Sequence, residues 1–474
     1  MFFQSPINKY FNPIYYKKTY NLDIDNKVAL YNHYINVGSK LNYNPSIYFN
    51  TKWYKNQYNI NDVTNPYEHF INNFNKGYKP NEKCKYLIHD GINKLPWINI
   101  TSEFIPIISE KKRINIVLPG PGLSAGPQTL YGFANILAKK GFNVRIIFMF
   151  MPLENKQKCL DEAKDRMEFD DSIELVSHYN NDIVISFDDI FVASAWWTIY
   201  PLKYILGYLK ETKFFWFIQE MELIFHAGDE IYSRALETYN MDYYSYVHCS
   251  TMLEYLRETK FMCFKNEEYI KNNVICFEPT VPTDLFYYEP KNKDKIRIIF
   301  YSRDAAPRNL TNLIKDLLCN AIKNRIIDES CEIIAFGGDK KGRFKITDNY
   351  YYNDVGFLNI TEYSRLLRSS HIAINMVLSP HIGLIPFEMA FCGGMTIHNE
   401  YFSKNEESIK HFTDKVLISE PNQVDLMKNL ELAIYRTKNN MVSTETPKNI
   451  QNNFNVTLDT CYKFMKEKIG HMHQ

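Results

Sequence analysis

The stretch INMVLSPHIGLIPFEMAFCGGMTIHNE, residues 374–400, contains the parts of one α/β unit in order. An apolar run predicts a buried strand over residues 372–378, and helical spacing predicts a helix over 384–391. Two glycines end that helix, and a further apolar run predicts a strand over 395–398. Two strands joined by a helix run parallel, so the stretch predicts a parallel sheet with helices packed on its faces.

The same alternation of short apolar runs with helical stretches extends over the chain from Arg113 onward. In the first block, strands are predicted over residues 114–118, 144–150, 173–176, 183–187, 214–218, 246–249 and 274–277, with a helix over 128–140. In the second block, strands are predicted over 296–301, 331–336, 372–378, 395–398 and 416–418, with helices over 310–324, 360–370, 384–391 and 423–435. Two blocks of similar size predict an α/β fold of two Rossmann-like, doubly wound domains facing a cleft, with ligands bound beyond the carboxyl ends of the strands.

The first 90 residues contain an internal duplication. Tyr10-Phe11-Asn12 recurs as Tyr48-Phe49-Asn50, and His33 is matched by His69, which predicts a small helical Tyr/Asn-rich module of two packed units. The predicted boundaries are this module at 1–90, a linker at 91–112, a first Rossmann-like domain at 113–290, a second at 291–440, and a C-terminal segment at 441–474. The helix predicted at 454–469 is expected to pack back on the first Rossmann-like domain.

The charge balance and the cysteines restrict the class of protein. The chain has 55 basic and 54 acidic residues and no long basic block, which argues against a nucleic-acid partner held by phosphate neutralisation. Nine dispersed cysteines without a C-x-x-C pair indicate reduced thiols in a reducing compartment. The start of the chain is too polar for a signal peptide, and no apolar run reaches the roughly 18 residues of a membrane span. We therefore expect a cytoplasmic protein without a transmembrane segment.

A turn rich in Gly and Pro joins the first strand of the first block to its helix at residues 119–127. Glycines allow a ligand to approach the backbone, and a helix N-terminus offers amides to an anion, so Gly126 is a candidate for donor binding. The turn is not a G-x-G-x-x-G motif, and a tight connection without a ligand is an equally good interpretation.

A basic turn directly follows the strand at 296–301. Arg303 and Arg308 lie five residues apart across it and can converge on one dianion, with Ser302 and Asn309 beside them. The alternative is two solvated arginines, or Arg303 paired with Asp304.

The strand at 372–378 runs into a second candidate segment. The amides that follow His381 precede a helix and can bind phosphate oxygens, and Glu388 lies about one turn into that helix. The donor-binding candidates here are Ser379, Ile382, Gly383 and Glu388, together with Gly337, which ends the strand at 331–336. A structural histidine and a glutamate that only favours the helix dipole are the alternative.

Four stretches of the sequence resemble motifs of one enzyme family. FYSRDAAPRN (300–309) is similar to the "GR-x4-K" turn of family-four glycosyltransferases, with Arg303 at the Arg position and Arg308 at the Lys position. PTVPTDLF (279–286) resembles the "NGVD-x-x-F" linker before their second Rossmann half. Residues 374–400 resemble the rhamnosyltransferase-like branch of S-layer and O-antigen glycan assembly, and FWFIQEME (215–222) resembles that branch's "Y-F-I-Q-D-x-E". The amino-terminal module resembles Tyr/Asn-rich units found beside polysaccharide glycosyltransferases.

This resemblance implies the GT-B fold and transfer of a sugar, such as rhamnose, from a nucleoside-diphosphate sugar to a glycan hydroxyl. Arg303 and Arg308 are then expected at the diphosphate and Glu388 at the ribose diol. The wider family has a second glutamate eight positions earlier, where this chain has Pro380, so His381 is expected to contact the sugar or phosphate. The candidates for acceptor binding, after the strand at 214–218, are Gln219, Glu220, Glu222 and His226.

The resemblance also implies retention of anomeric configuration without a dedicated nucleophile, a metal or a further cofactor. Asp170-Asp171 and Asp188-Asp189 lack the D-x-D spacing of a metal clamp and are interpreted as solvated loop acids. The expected partners are a dTDP-, UDP- or GDP-sugar and a glycan or glycolipid acceptor. A homodimer and a peripheral association with the inner face of the membrane both stay open.

Three other functions stay open at this point. A two-Rossmann nucleotide-sugar epimerase would share the fold and the donor site, and would turn over the donor without an acceptor. A single-domain transferase of the GT-A class would need a divalent metal. A non-catalytic glycan-binding protein would follow if the repeats were the active part.

Overall fold

The computed structural model describes residues 10–61, 63–84, 103–120, 125–149, 169–178, 181–292 and 294–470. The chain divides into two compact units. The first comprises Met1–Trp216 and Met241–Tyr244, and the second comprises Phe217–Asn240 and Ser245–Gln474. The predicted domain boundaries follow the two sheets instead of these units, and they stay a prediction.

The first large sheet has seven strands in the order β4-β3-β2-β6-β7-β8-β9. Its strands are β2 (Ile114–Leu118), β3 (Val144–Phe148), β4 (Glu174–Ser177), β6 (Ile190–Ala193), β7 (Phe214–Ile218), β8 (Tyr243–His248) and β9 (Val274–Phe277). The boundary between the two units passes through β7 and β8. Helices Ala125–Lys139, Trp196–Ile199, Glu230–Tyr239, Ser250–Glu258 and Glu267–Asn273 lie between these strands in the chain. Strand β2 is buried along its whole length and pairs in parallel with both β3 and β6, as expected for the centre of a doubly wound sheet.

The second large sheet has the order β12-β13-β11-β10-β14-β15-β16. Its strands are β10 (Ile296–Tyr301), β11 (Cys331–Phe336), β12 (Gly342–Thr347), β13 (Tyr350–Asp354), β14 (Ile372–Ile374), β15 (Met395–Asn399) and β16 (Val416–Ser419). The helices between and after them are Thr311–Lys323, Ile360–Arg368, Ile385–Phe391, Glu406–Lys410 and Gln423–Lys438. All pairings are parallel except the β12–β13 hairpin at the edge. The two sheets confirm the α/β class with two parallel, doubly wound domains.

Three features differ from the sequence-based expectation. Residues 104–107, assigned to a linker, form strand β1 (Phe104–Ile107), which pairs in parallel with β5 (Ile183–Ser186) as a separate two-stranded sheet. Strand β6 and the β12–β13 hairpin were not predicted. Strand β14 ends at Ile374 instead of residue 378, because the amides of Val377 and Leu378 bond Asn399 Oδ1 and the Arg308 carbonyl instead of a neighbouring strand.

The interpretation of Asp189 as a solvated acid is wrong. Its carboxylate is buried and accepts hydrogen bonds from the Arg113 amide (2.8 Å) and Asn115 Nδ2 (3.0 Å). Arg145 Nη2 forms an ion pair with it at 3.3 Å, and the same guanidinium donates to the Val184 carbonyl. Asp189 therefore joins β2, β3 and β5 inside the first unit, where a buried charge needs such partners.

The amino-terminal duplication reappears as repeated contacts. Its helices are Pro13–Thr19, Lys27–His33, Thr51–Tyr58 and Pro66–Asn72. Asn12 and Asn50 cap the first helix of each copy through their side chains. The Tyr16 hydroxyl lies 3.0 Å from His33 Nδ1 in the first copy, and the Tyr54 hydroxyl lies 2.9 Å from His69 Nδ1 in the second. The two copies therefore share one packing scheme.

This module contacts the rest of the first unit through Tyr48 and through its last residues. Asn81 Nδ2 donates to the Tyr48 carbonyl (2.7 Å) and to the Tyr208 hydroxyl (3.2 Å). The Lys83 ammonium donates to the Gly207 carbonyl at 2.9 Å, and the rings of Tyr48 and Tyr208 meet edge to face.

The C-terminal helix Phe454–Ile469 has the predicted bounds. Its Phe464 ring packs on Tyr246 of β8 at 5.7 Å between centroids, and Thr457 Oγ1 lies 3.1 Å from Thr280 Oγ1. Among the residues described, no helix is both long enough and apolar enough to cross a membrane.

Candidate functional site

The basic turn after β10 is held by its own backbone and by neighbouring side chains. The Ser302 amide donates to the Phe336 carbonyl (2.8 Å), and the Arg303 amide donates to Thr311 Oγ1 (3.2 Å). The Asp304 carboxylate does not pair with the Arg303 guanidinium. It binds the ammonium groups of Lys315 (3.1 Å) and Lys340 (2.7 Å). The exposed Arg303 side chain is therefore not occupied by the neighbouring acid, contrary to one of the alternatives.

The two halves of the predicted donor site lie side by side. Strands β10 and β14 pair in parallel, with Phe300 opposite Ile374, so their carboxyl ends meet at one edge of the sheet. Beyond those ends, the Leu378 amide donates to the Arg308 carbonyl at 2.8 Å. This bond joins the basic turn directly to the segment that begins at Ser379.

Arg308 is half-buried, and its guanidinium lies over the ring of Phe225, 3.9 Å from the centroid. Burial lowers the pKa of Arg308, the negative charge of Glu220 opposes that effect, and the positive charge of Arg303 adds to it. An arginine stays protonated in spite of such a shift. Two guanidinium groups whose charges repel each other at the carboxyl end of a strand form a suitable site for an anion.

Ser379 connects this turn to the loop after β7. Its buried hydroxyl donates to Glu220 Oε1 and accepts a hydrogen bond from the His381 amide (3.0 Å). The Met221 amide donates to the same Glu220 oxygen at 3.0 Å. Burial raises the pKa of Glu220, and these hydrogen bonds oppose the rise. Glu220, an acceptor-binding candidate, is thus bonded to the donor-binding candidate Ser379.

The ring of His381 uses both of its nitrogens. The Gly383 amide donates to Nδ1 at 2.8 Å, so Nε2 carries the proton and donates to His248 Nδ1 at 2.9 Å. Burial lowers the pKa of His381 to about 4 and that of His248 well below its usual range, so both rings are neutral.

Two amides expected to bind phosphate are bonded within the protein. The Gly383 amide is bonded to the His381 ring, and the Ile382 amide bonds the thiol of Cys249. Gly383 has a φ of +82°, which a residue with a side chain adopts only with strain. The phosphate-binding role of these amides stays a prediction.

Glu388 lies buried in helix Ile385–Phe391 and accepts a hydrogen bond from the Tyr363 hydroxyl. Burial raises the pKa of this carboxyl to about 7, and the bond from Tyr363 opposes that rise. Tyr363 packs on Phe336 at the end of β11, directly before Gly337. A Cβ at the next residue, Gly338, would lie 2.5 Å from the Ser302 carbonyl oxygen, so this glycine allows the two turns to approach.

The remaining candidates lie in two places. Gln219 directly follows β7, Glu222 is buried at the start of the short turn Glu222–Phe225, and His226 ends that turn. Gly126 lies in the first turn of helix Ala125–Lys139, in the other unit, and residues 121–124 of its loop lie outside the described residues.

The site residues that were not predicted include Phe225, His248 and Tyr363, and also Lys404, whose ammonium donates to the Val377 carbonyl. His248 is the last residue of β8, and a position at the carboxyl end of a strand is the signal that could have indicated it. In the described part of the chain, no group of three or more His, Cys, Asp or Glu side chains could hold a metal ion.

Comparisons with known proteins found similarity to one family model and to one curated protein. Residues 296–431 match a family model described as the C-terminal domain of WsaF. The O-antigen biosynthesis protein RfbC of Myxococcus xanthus is 23% identical over 252 residues, which cover 52% of this chain. The matched segment spans 18% of that relative's length.

Among solved structures, sucrose-phosphate synthase from Thermosynechococcus elongatus is 10% identical, with a TM-score of 0.49 over 76% of this chain and 100% of that one. HepE of Anabaena, solved with UDP-glucose, is 8% identical, with a TM-score of 0.49 over 76% and 98%. The UDP-GlcNAc 2-epimerase of Methanocaldococcus jannaschii is 10% identical, with a TM-score of 0.44 over 75% and 99%.

Proposed function

We propose that this chain is a glycosyltransferase that moves a sugar from a nucleoside-diphosphate sugar to a hydroxyl of a glycan acceptor. The observation that carries the proposal is the bond between the Leu378 amide and the Arg308 carbonyl. It brings an arginine pair and the Ser379–Glu388 segment to one edge of a parallel sheet, where such folds bind ligands. The WsaF match over residues 296–431 supports the assignment, because it covers both of these segments.

The chemistry required of the site is stabilisation of a leaving diphosphate. Breaking the anomeric bond builds negative charge on that group, and preorganised cations lower the barrier most when they are already in place. Arg308, fixed over Phe225, and Arg303 would supply this charge without a metal ion. The ribose diol would bind Glu388, and the sugar would lie towards Ser379 and Glu220.

The finer parts of the proposal rest on the sequence resemblance. Residues 374–400 favour rhamnose as the transferred sugar, with retention of configuration, and the name of the M. xanthus relative supports a polysaccharide acceptor. The place of action would be the cytoplasm, where nucleotide sugars would be available.

A ligand screen followed by a transfer assay tests the proposal. Thermal unfolding is measured with dTDP, UDP, GDP and their sugars, since a ligand that binds the folded state at 100 times its Kd adds about 2.7 kcal/mol. The stabilising donor is then incubated with glycan acceptors in excess chelator, and the anomeric configuration of the product is determined. Donor turnover that does not depend on acceptor would identify an epimerase. Absence of stabilisation by every nucleotide would reject the proposal.

A further inference from the structure

His248 ends strand β8 at the carboxyl edge of the first large sheet, directly before Cys249 and helix Ser250–Glu258. Its ring is partly exposed and stacks on Phe277, the residue opposite it on β9, with 4.8 Å between the centroids and 18° between the planes. The stack holds the imidazole in one plane. His248 therefore presents a fixed ring at a position where open α/β sheets bind ligands.

Two hydrogen bonds fix which nitrogen of His248 carries the proton. A backbone amide can only donate, so the bond from the Gly383 amide to His381 Nδ1 (2.8 Å) leaves the His381 proton on Nε2. That Nε2–H group donates to His248 Nδ1 at 2.9 Å, which requires an unprotonated Nδ1. A neutral imidazole whose Nδ1 accepts carries its proton on Nε2. The two rings therefore form a chain in which each donates from Nε2.

This chain of hydrogen bonds ends at the Nε2–H group of His248. Within the described residues, that group donates to no protein atom. Unlike Nε2 of the fully buried His398, it is not a buried polar atom without a partner, so it reaches solvent. Hydrogen bonds in a chain polarise one another, which makes the terminal N–H a good donor to a further oxygen.

The turn after β8 is bonded to the segment that contains His381 at two further points. Thr251 Oγ1 donates to the Pro380 carbonyl at 2.7 Å, and the Ile382 amide bonds the thiol of Cys249. Cys249 has a φ of +73° and a ψ of 147°, which is a strained conformation for a residue with a side chain. Such strain persists where the surroundings fix it, and it is concentrated at functional sites. These contacts keep the end of β8 beside the predicted donor site.

We propose that His248 contacts the substrate in place of His381, and that its Nε2–H donates a hydrogen bond to a hydroxyl of the transferred sugar. His381 uses both ring nitrogens inside the protein and is the positioning residue that fixes the proton of His248. An uncharged N–H suits a neutral hydroxyl, whereas the diphosphate would bind the guanidinium groups of Arg303 and Arg308. The sugar contact rests on the proposed function, which places the sugar towards Ser379. The fixed tautomers do not depend on it.

The tautomers are tested by NMR on the whole protein without ligand. Histidine is labelled with ¹⁵N, correlations between ring nitrogens and ring hydrogens identify the protonated nitrogen, and His248→Gln assigns the His248 signals. We expect both His248 and His381 to carry the proton on Nε2. In His381→Asn, His248 loses the donor to its Nδ1 and should show a mixture of tautomers, which a mere packing role of His381 would not produce. A proton on His248 Nδ1 in the wild type would overturn the proposal, and a fixed tautomer in folded His381→Asn would reject the positioning role.

Calorimetric titration measures the sugar contact. The wild type is titrated with dTDP, UDP and GDP, and with dTDP-rhamnose, UDP-glucose and GDP-mannose. His248→Asn keeps an acceptor for His381 but has no donor at the position of Nε2, whereas His248→Gln keeps a donor there. We expect His248→Asn to raise the Kd of the bound nucleotide sugar by about three- to tenfold, since one hydrogen bond is lost, and to leave the Kd of the matching nucleoside diphosphate unchanged. His248→Gln should stay within about twofold of the wild type.

His411→Asn is the matched control for these titrations. His411 is exposed, and its Nε2 lies 2.9 Å from Asn449 Nδ2, so both Kd values should stay unchanged in this variant. Equal weakening of nucleotide and nucleotide sugar in His248→Asn would overturn the sugar contact, and so would two unchanged Kd values. If His248→Asn does not fold, the wild-type Nε2–H signal of His248 decides. It should shift with the nucleotide sugar and not with the nucleoside diphosphate, and equal spectra would overturn the proposal.

The same titrations separate this proposal from the proposed function. A wild type that binds no nucleotide and no nucleotide sugar would reject the proposed function and the sugar contact together, while the NMR spectra would still decide the tautomers. A wild type that binds and transfers a sugar, with unchanged binding in His248→Asn, would reject the sugar contact alone.

Discussion

The guanidinium of Arg308 lies over the ring of Phe225, 3.9 Å from its centroid. Such a contact is worth about 2 kcal/mol when it is desolvated, and it fixes a long side chain in one orientation. The Arg308 carbonyl is fixed as well, by the Leu378 amide. Arg308 is therefore held at both its backbone and its charged end before any ligand arrives, which is the condition for preorganised charge stabilisation.

Replacing either arginine of the turn should reduce transfer strongly. We expect Arg308→Ala and Arg303→Ala each to lower kcat by about one to three orders of magnitude, because each removes a cation from the leaving diphosphate. The measurement is donor-dependent transfer, with thermal unfolding as a check of folding. Arg365→Ala, at an exposed arginine of helix Ile360–Arg368, removes the same charge and should have little effect. Near-wild-type transfer in either turn variant would refute the assigned role.

The free energy of unfolding should fall as the pH rises, because the buried Glu388 carboxyl has a raised pKa. Its folded pKa is about 7 against an ordinary 4.5, so the folded state keeps a proton that the unfolded state has lost between these values. The stabilisation that the protonated carboxyl contributes is fully present below pH 4.5 and is lost as the pH rises through about 7. The shift corresponds to about 3 kcal/mol at most.

Glu388→Gln keeps a neutral side chain at every pH and should remove this dependence. The free energy of unfolding is measured in denaturant from pH 4.5 to 8 for both proteins. Glu431→Gln, on the exposed face of helix Gln423–Lys438, changes the formal charge equally and should behave as the wild type. Parallel curves for wild type and Glu388→Gln would show that the carboxyl is not held in its protonated form.

Patterns of apolar residues predict the buried parts of this fold well. Strands β2, β7, β10 and β11 and helix Phe454–Ile469 have the predicted bounds, because each buries an uninterrupted or periodic apolar face. Strand β9 also has the predicted bounds, although Phe277 is its one buried residue. The β12–β13 hairpin is largely exposed and polar, so it has no such pattern. Strand β1 is only four residues long and contains a proline, which usually counts against a strand.

The site was predictable in its location but less so in its contacts. The position after β10 and β14 follows from topology, and the structure brings these two segments together. The early end of β14 depends on Asn399 Oδ1, which accepts a hydrogen bond from the Val377 amide although the two residues are 22 positions apart in the sequence. The burial of Lys404 depends equally on tertiary packing, since lysine is ordinarily exposed.

His381 should act through the hydrogen bonds of its ring and not as a titrating base. The side-chain oxygen of asparagine can replace Nδ1 as acceptor for the Gly383 amide, whereas leucine replaces neither nitrogen. We expect His381→Leu to be less stable than His381→Asn, with each lost buried hydrogen bond costing about 1–3 kcal/mol. Chemical denaturation at pH 7.5 measures this order.

The low pKa of His381 predicts a pH dependence of stability opposite to that of Glu388: the free energy of unfolding should fall as the pH falls. Its folded pKa is about 4 against an ordinary 6.5, so the stability it contributes is complete above 6.5 and is lost as the pH falls towards 4. His381→Asn should lose less stability than the wild type over this range. A steeper loss in the variant would contradict the neutral ring.

The amino-terminal module should be less protected against hydrogen exchange when Asn81 is replaced by alanine. This buried side chain donates to the Tyr48 carbonyl and the Tyr208 hydroxyl, and its oxygen accepts from the amides of Lys83 (2.9 Å) and Cys84 (2.8 Å). Asn81→Ala leaves these groups without their partner, at a cost of about 1–3 kcal/mol each where they stay buried. Hydrogen exchange followed by mass spectrometry should then show faster exchange in peptides covering residues 44–60 and 203–210, by about tenfold or more.

Asn61→Ala is the matched control for this prediction. It removes an exposed side chain that accepts one hydrogen bond, from the Thr64 amide, and should leave those peptides unchanged. Equal protection in Asn81→Ala would mean that this asparagine does not hold the repeats to the rest of the first unit, and that other contacts, such as those of Tyr48 with Tyr208 and of Lys83 with Gly207, do so.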